Sequence, residues 1–206
     1  MERYRMRWNI LTVWLALAAI PLWPNVAARA APMAPGAFVK SLTGEVIAIF
    51  NDPRLSPAQQ EERLYGITVR DFDVQYTARF TLGSYWRTAS EKEQTEYTEV
   101  FKHYIVHIYA GQFRVYHDVD VKVLQERPES PTISLVRTEL VRRDGRPPIN
   151  VDWHIVTRGG VNKIIDVSVD GVSQLLTLRE EFMSTIARNQ GGVPMLTSKL
   201  VEKTRL

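Results

Sequence analysis

The sequence predicts an α+β fold: a four-stranded, curved antiparallel meander sheet covered by five to six helices. Three observations predict it. Apolar residues recur at helical spacing over 37–110, switch to a period of two over 114–170, and return to helical spacing over 173–203. Short turns join the strand segments, with Asp144-Gly145 and Arg158-Gly159-Gly160 the strongest signals. The alternation leaves each strand one greasy and one polar face, so helices must cover one side of the sheet.

Residues 1–30 stand apart. Arg3, Arg5 and Arg7 form a basic head, an apolar run extends from Trp8 to Trp23, and Ala28 and Ala30 close an A-x-A end. That pattern predicts a secretory signal peptide cleaved after Ala30, with an uncleaved anchor as the alternative. A single domain over 31–206 follows. The leader holds four arginines and one glutamate, so its net +3 equals that of the whole chain (26 basic, 23 acidic residues) and the remainder is neutral. The high isoelectric point belongs to the leader and gives no support for a nucleic-acid partner. With no cysteine, the domain must stand on its core alone.

In the first helix Phe38, Val39, Leu42, Val46, Ile49 and Phe50 keep helical spacing until Asn51-Asp52-Pro53. Ser56, Pro57 and Gln59 form a capping-box start for a helix reaching about Val69. Asp71 is expected to start a short helix ending at Gly83. Tyr85, Trp86 and Arg87 then fill a bend, with the Arg87 guanidinium holding it by capping carbonyls or pairing with a carboxylate, or alternatively contacting the polar end of a ligand. Ser90 and Glu93 open the longest helix, where Tyr97, Phe101, Tyr104, Ile105 and Ile108 make one stripe and Gly111 is the expected stop.

The strands follow. Val119, Val121 and Val123 alternate with Asp118, Asp120 and Lys122, and a second strand spans 132–143. Ile149, Val151, Trp153 and Ile155 alternate with Asn150, Asp152 and His154, and Ile165, Val167 and Val169 share a face of the fourth. A helix from Ser173 to about Asn189 presents Leu175, Leu178, Phe182 and Ile186, and a short one carries Val193, Leu196 and Leu200. This is more helical surface than four strands need, which implies either a thick core or an enclosed space.

Chemical motifs are scarce. His103 and His107 stand at the i, i+4 spacing of a two-histidine metal face, but no H-E-x-x-H and no third ligand accompany them, so no metal, cofactor or catalytic set is expected. Asp118 with Asp120, and Asp166 with Asp170, read as solvated strand carboxylates, with a paired general acid and base as the alternative.

The stretch Leu82-Gly-Ser-Tyr-Trp-Arg-Thr-Ala-Ser90, the helix with Phe101 and Tyr109, then 163–173 (KIIDVSVDGVS) and 178–182 (LREEF) resemble the toluene-tolerance or MlaC family. The resemblance covers the chain after the leader, in order. It implies an NTF2-like or cystatin-like sheet with an apolar pocket. The implied function is that of an exported, non-enzymatic periplasmic carrier that ferries phospholipid between an inner-membrane ABC transporter complex and an outer-membrane lipoprotein complex. A monomer that serves outer-membrane lipid asymmetry is expected. Where that family's pattern reads WKIYD this chain has Asn162 and Ile165 in place of aromatics, and a hopanoid-associated branch (HpnM) is the second expectation for the lipid. The implied walls are Val119, Val121, Val151, Trp153, Ile155, Val167 and Val169 from the sheet and Trp86, Phe101, Tyr104, Ile105 and Ile108 from the helices. Arg142, Arg143 and Arg146 form a basic cluster suited to docking. Two other classes stay open: a small-molecule enzyme using Asp152, His154 or Asp166, if these point inward, and an envelope interaction module with a filled core.

Overall fold

The computed structural model describes residues 33–115 and 118–204. The expected signal peptide lies outside the described residues. Among the described residues no helix is long and apolar enough to cross a membrane.

The helical first half comprises α1 (Pro35–Asn51), α2 (Pro57–Asp71), α3 (Val74–Leu82), the single turn α4 (Tyr85–Thr88) and the long α5 (Glu91–Val115). The sheet follows as β1 (Val119–Pro128), β2 (Ile133–Arg142), β3 (Ile149–Arg158), β4 (Val161–Val169) and β5 (Val172–Ser173); then come α6 (Gln174–Arg188) and α7 (Gly192–Thr204). Strand order equals chain order and every pairing is antiparallel.

Both capping boxes form. The Ser56 amide donates to Gln59 Oε1 at 2.8 Å and the Ser90 amide to Glu93 Oε2 at 2.7 Å, each answered by the return bond to the serine oxygen at 3.3 Å. Where the elements depart from expectation, tertiary contacts decide. Asp73, not Asp71, caps α3, because Phe72 bridges to Ile164 and the Asp73 amide donates to the Ile164 carbonyl at 2.9 Å. That pairing holds 72–73 extended, so Asp71 becomes the last residue of α2. Gly111 does not stop α5. The helix runs one turn further, where Phe113 packs on Phe50 at 5.5 Å and Arg114 binds Glu61 at 2.8 Å. Those contacts offset the roughly 1 kcal/mol that glycine costs inside a helix.

The sheet has five strands rather than four. At the end of β4 Asp170 (φ 45°) and Gly171 (φ 83°) make a tight left-handed turn, and Val172–Ser173 pairs back on Val169–Ser168 before Ser173 caps α6. Ser173 thus serves as both strand residue and helix cap, which hides so short a strand from any periodicity. Among the described residues the helix count rises to seven, because Tyr85–Thr88 is a turn of helix rather than an open bend.

Two separate cores explain the surplus of helices. One lies between the sheet and α1, α2 and α5, with Val136, Ile155 and Ile164 fully buried. In the other, α3, α5, α6 and α7 pack mainly on one another around Tyr97, Phe101, Tyr104 and Phe182. Here the Phe182 ring meets those of Tyr97 and Phe101 edge-on at 6.4 Å. Burial drives the Tyr97 phenol far above its usual range, and its hydroxyl bonds Thr81 Oγ1 at 2.7 Å.

Gly83 joins α3 to α4 with φ +56°, and a Cβ there would stand 2.6 Å from Met183 Sδ and 3.1 Å from Arg179 Nη2. Gly83→Ala is therefore expected to cost about 2 kcal/mol, measured as a shift of the urea midpoint; an unchanged midpoint would mean the turn relaxes freely.

On the solvent face of the sheet Arg137 and Asp152 are direct cross-strand partners joined by two bonds of 2.7 Å. The hydrogen bonds from Arg137 hold the Asp152 carboxyl below the usual carboxylate range. A carboxyl depressed in the folded state contributes stability above its unfolded value, about 3.9, and loses it as pH falls through the folded value. The stability gap between wild type and Arg137→Leu should therefore be open at neutral pH and close below about pH 4, read by denaturation at a series of pH values. A gap constant in pH would contradict the assignment.

Candidate functional site: an apolar cavity between sheet and helices

At one end of the sheet the helices stand away from the strands and leave a cavity of about 750 Å³. Its floor is Val119 and Val121 of β1, Leu140 of β2, Ile149, Val151 and Trp153 of β3, and Ile165, Val167 and Val169 of β4. Its roof is Leu42, Val46 and Ile47 of α1, Leu64 and Ile67 of α2, and Phe101, Ile105, Val106, Tyr109 and Phe113 of α5, with Leu175 and Leu178 of α6 at the side. Lining residues that are also exposed (Gln112, Pro147, Pro148 and Asp170) mark the mouth beside the β2–β3 hairpin.

The polar groups in the walls are mostly tied up. Thr43 and Thr68, both in the lining, donate to carbonyls one turn back, Val39 and Leu64. Trp153 Nε1 donates to Thr138 Oγ1 at 2.9 Å, and that hydroxyl donates to the Val151 carbonyl at 3.1 Å, so the indole adds area with no free donor. Burial, and secondarily the Asp166 charge, pushes the Tyr109 phenol up to about 12, so it stays neutral at physiological pH. Asp166 is no solvated strand carboxylate. Oδ1 accepts from the amides of Val167 (2.7 Å) and Leu175 (3.1 Å), and Oδ2 accepts from Ser173 Oγ at 2.6 Å. It pins β4 to the start of α6, which accounts for an aspartate within KIIDVSVDGVS.

Of the residues expected as walls, Phe101, Ile105, Val119, Val121, Val151, Trp153, Val167 and Val169 line the cavity. Four do not. Tyr104 and Ile108 face the second core, because the α5 stripe is wide enough to serve both cores, and Tyr104 packs on Phe182 at 5.7 Å. Ile155 is fully buried further along β3, opposite Ile164 at an irregularity in the β3–β4 register. Trp86 lies on α4, half-buried against the second core, and borders a separate surface hollow of about 430 Å³ with Tyr76, Arg79, Phe80, Arg87 and Arg179.

Arg87 does not hold the bend. It is exposed, and its guanidinium makes no hydrogen bond or ion pair with any described residue; only its amide bonds, to the Ser84 carbonyl at 3.2 Å. Gln94 Nε2 does that work, donating to the carbonyls of Trp86 (2.8 Å) and Ala89 (3.2 Å). Arg179 of the LREEF stretch donates to the Phe80 carbonyl at 2.9 Å and lies over the Phe80 ring at 4.8 Å.

Other candidates are engaged elsewhere. His103 stacks on Tyr65 at 4.7 Å and His107 Nδ1 is 3.5 Å from Glu61 Oε2; among the described residues no group of three ligating side chains comes together. Asp152 pairs with Arg137, and His154 Nδ1 lies 2.9 Å from Glu129 Oε2. Arg143 pairs with Asp118 and Asp120 at 3.3 and 3.2 Å, and Arg146 with Asp144 at 2.8 Å, so two of the three hairpin arginines are neutralised. Sequence reading missed the α1 and α2 roof, whose residues it had only as a helical stripe, and the mouth residues Arg142, Pro147 and Pro148.

The hollow between sheet and helices, open at one end, has the volume and apolar lining to enclose an apolar ligand. The profile of the MlaC protein family matches residues 40–202, and the chain belongs to that family. Its fold is similar to that of a phospholipid-binding protein from Ralstonia solanacearum, solved in complex with a phospholipid. The TM-score is 0.72 and the identity 23%, covering 84% of this chain and 98% of that one.

Proposed function

We propose that this chain is a lipid carrier that takes the acyl tails of a phospholipid into the cavity and leaves the headgroup at the mouth. The observation that carries this is the distribution of polarity: predominantly apolar walls whose threonine hydroxyls, indole N–H and Asp166 carboxylate are satisfied within the protein, with the exposed polar residues Gln112 and Asp170 at the mouth. Exposing two tails of about 30 methylenes to water costs on the order of 20 kcal/mol. A hollow that removes them from water therefore supplies the whole requirement for transfer, without catalysis. The similar Ralstonia solanacearum protein, solved with a phospholipid, supports the same ligand class.

In this reading the chain is exported through residues 1–30 and works in the periplasm as a monomer. It exchanges lipid with an inner-membrane ABC transporter complex and an outer-membrane lipoprotein complex, as the soluble part of that system. A second reading, a hopanoid-type lipid, is favoured by Ile165, which lines the cavity where the related pattern carries an aromatic and leaves more room for a fused-ring body. Asn162 offers no such support, since it is outside the lining and donates to the Met33 carbonyl at 2.7 Å.

Mass spectrometry of lipid extracted from natively purified protein tests both. Bound phospholipid supports the first reading and bound hopanoid the second. No co-purifying lipid, together with no uptake from phospholipid vesicles, would end both.

A further inference from the structure

Arg142 ends β2 at the cavity mouth and is the one cationic side chain among the described residues lining the cavity. Its side chain is only 16% exposed. Nη2 donates to the Pro147 carbonyl at 2.6 Å, which lays the guanidinium across the base of the hairpin. Nε is sealed from water and has no hydrogen-bond partner. The Asp144 Oδ1 atom stands 4.0 Å from it, beyond hydrogen-bond reach. Asp144 is occupied elsewhere: Oδ1 accepts from the Arg146 amide at 3.0 Å and Oδ2 lies 2.8 Å from Arg146 Nε. Arg143 on the same hairpin is satisfied by Asp118 and Asp120. Of these three arginines, only the one lining the cavity has a buried donor with no partner.

Nη1 has no hydrogen-bond partner among the described residues and is not sealed as Nε is, so the guanidinium can offer charge-assisted N–H bonds to an oxyanion at the mouth. Apolar tails in the hollow would bring the first polar group of a lipid to this rim. We propose that Arg142 reads the headgroup: it binds the phosphodiester anion of the lipid whose tails occupy the cavity. This rests on the carrier reading above and goes further, since walls of valine and leucine accept any tail and cannot select a headgroup. The Pro147 bond orients the guanidinium, and Asp144 moderates its charge so that the lipid can leave again. A residue that only braces the hairpin would affect stability and leave lipid selectivity untouched.

The test is calorimetric titration of delipidated protein with water-soluble dioctanoyl phosphatidylglycerol, with dioctanoylglycerol, which has the same tails and no phosphate, and with inorganic phosphate. Wild type is expected to favour the phosphatidyl lipid over the neutral one by about tenfold or more. Arg142→Gln should remove about tenfold of that preference while leaving dioctanoylglycerol affinity unchanged. A preference unchanged in R142Q overturns the proposal and leaves the carrier reading standing. Binding of neither lipid by wild type overturns the carrier reading and this proposal with it. Inorganic phosphate binding as tightly as the lipid, and lost in R142Q, would make this a free-anion site and overturn the proposal. If R142Q fails to fold, Asp144→Asn probes the same balance: removing the competing carboxylate should raise the preference by about threefold, and an unchanged ratio counts against it.

Discussion

Val167→Trp is expected to reduce lipid uptake from phospholipid vesicles by more than about tenfold while the protein stays folded. Val167 is half-buried on β4 and faces the hollow from its floor. In a packed core such an enlargement costs about 1–3 kcal/mol, because neighbours must be pushed aside. Here the indole enters empty space of about 750 Å³, so it removes volume from the ligand rather than from the protein. The contrast is the content of the prediction: a large loss of uptake with a melting temperature near wild type. Normal uptake by folded V167W would place the lipid elsewhere, and the module reading with its filled core would gain.

Phe182→Ala should have the opposite profile. Phe182 is 1% exposed, and its ring meets Tyr97, Phe101 and Tyr104 from one side of the helical core. Deleting a fully buried ring leaves a void that helices cannot close, at about 3–5 kcal/mol. Against a usual total of about 5–15 kcal/mol, that is a large share of the stability of a chain with no disulfide. Urea denaturation measures it directly. A loss under about 1 kcal/mol would show that α3, α6 and α7 repack around the gap.

Comparing these two sites shows what the sequence could and could not say. Helix starts were legible because the capping boxes at Ser56 and Ser90 are local chemistry, satisfied within four residues. The sheet order was legible because Asp144-Gly145 and Gly159-Gly160 force hairpins between alternating runs. The end of α5 was not, since Phe113 and Arg114 hold Gly111 in the helix through residues more than fifty positions away. Likewise, helical spacing put Tyr104 and Phe101 on one stripe but carried no information on where one core ends and the other begins. Trp86 and Arg87 drew attention by composition, yet the bend they occupy is held by Gln94 from the next helix, and the α3 end before it by Arg179, ninety-nine residues from the carbonyl it binds. Arg142 looked like one of three equal arginines until the hairpin's ion pairs were in view.

The division into two cores also sets how exchange of backbone protons should respond to occupancy. Amides of α7, which packs on the aromatic core and contributes no residue to the cavity lining, should exchange slowly at the same rate with the hollow full or empty. Those of α1 and α2, which roof the hollow, should slow when it fills. Such a molecule spends its cohesion in one place and its adaptability in another, so it can lose what it holds without losing its shape.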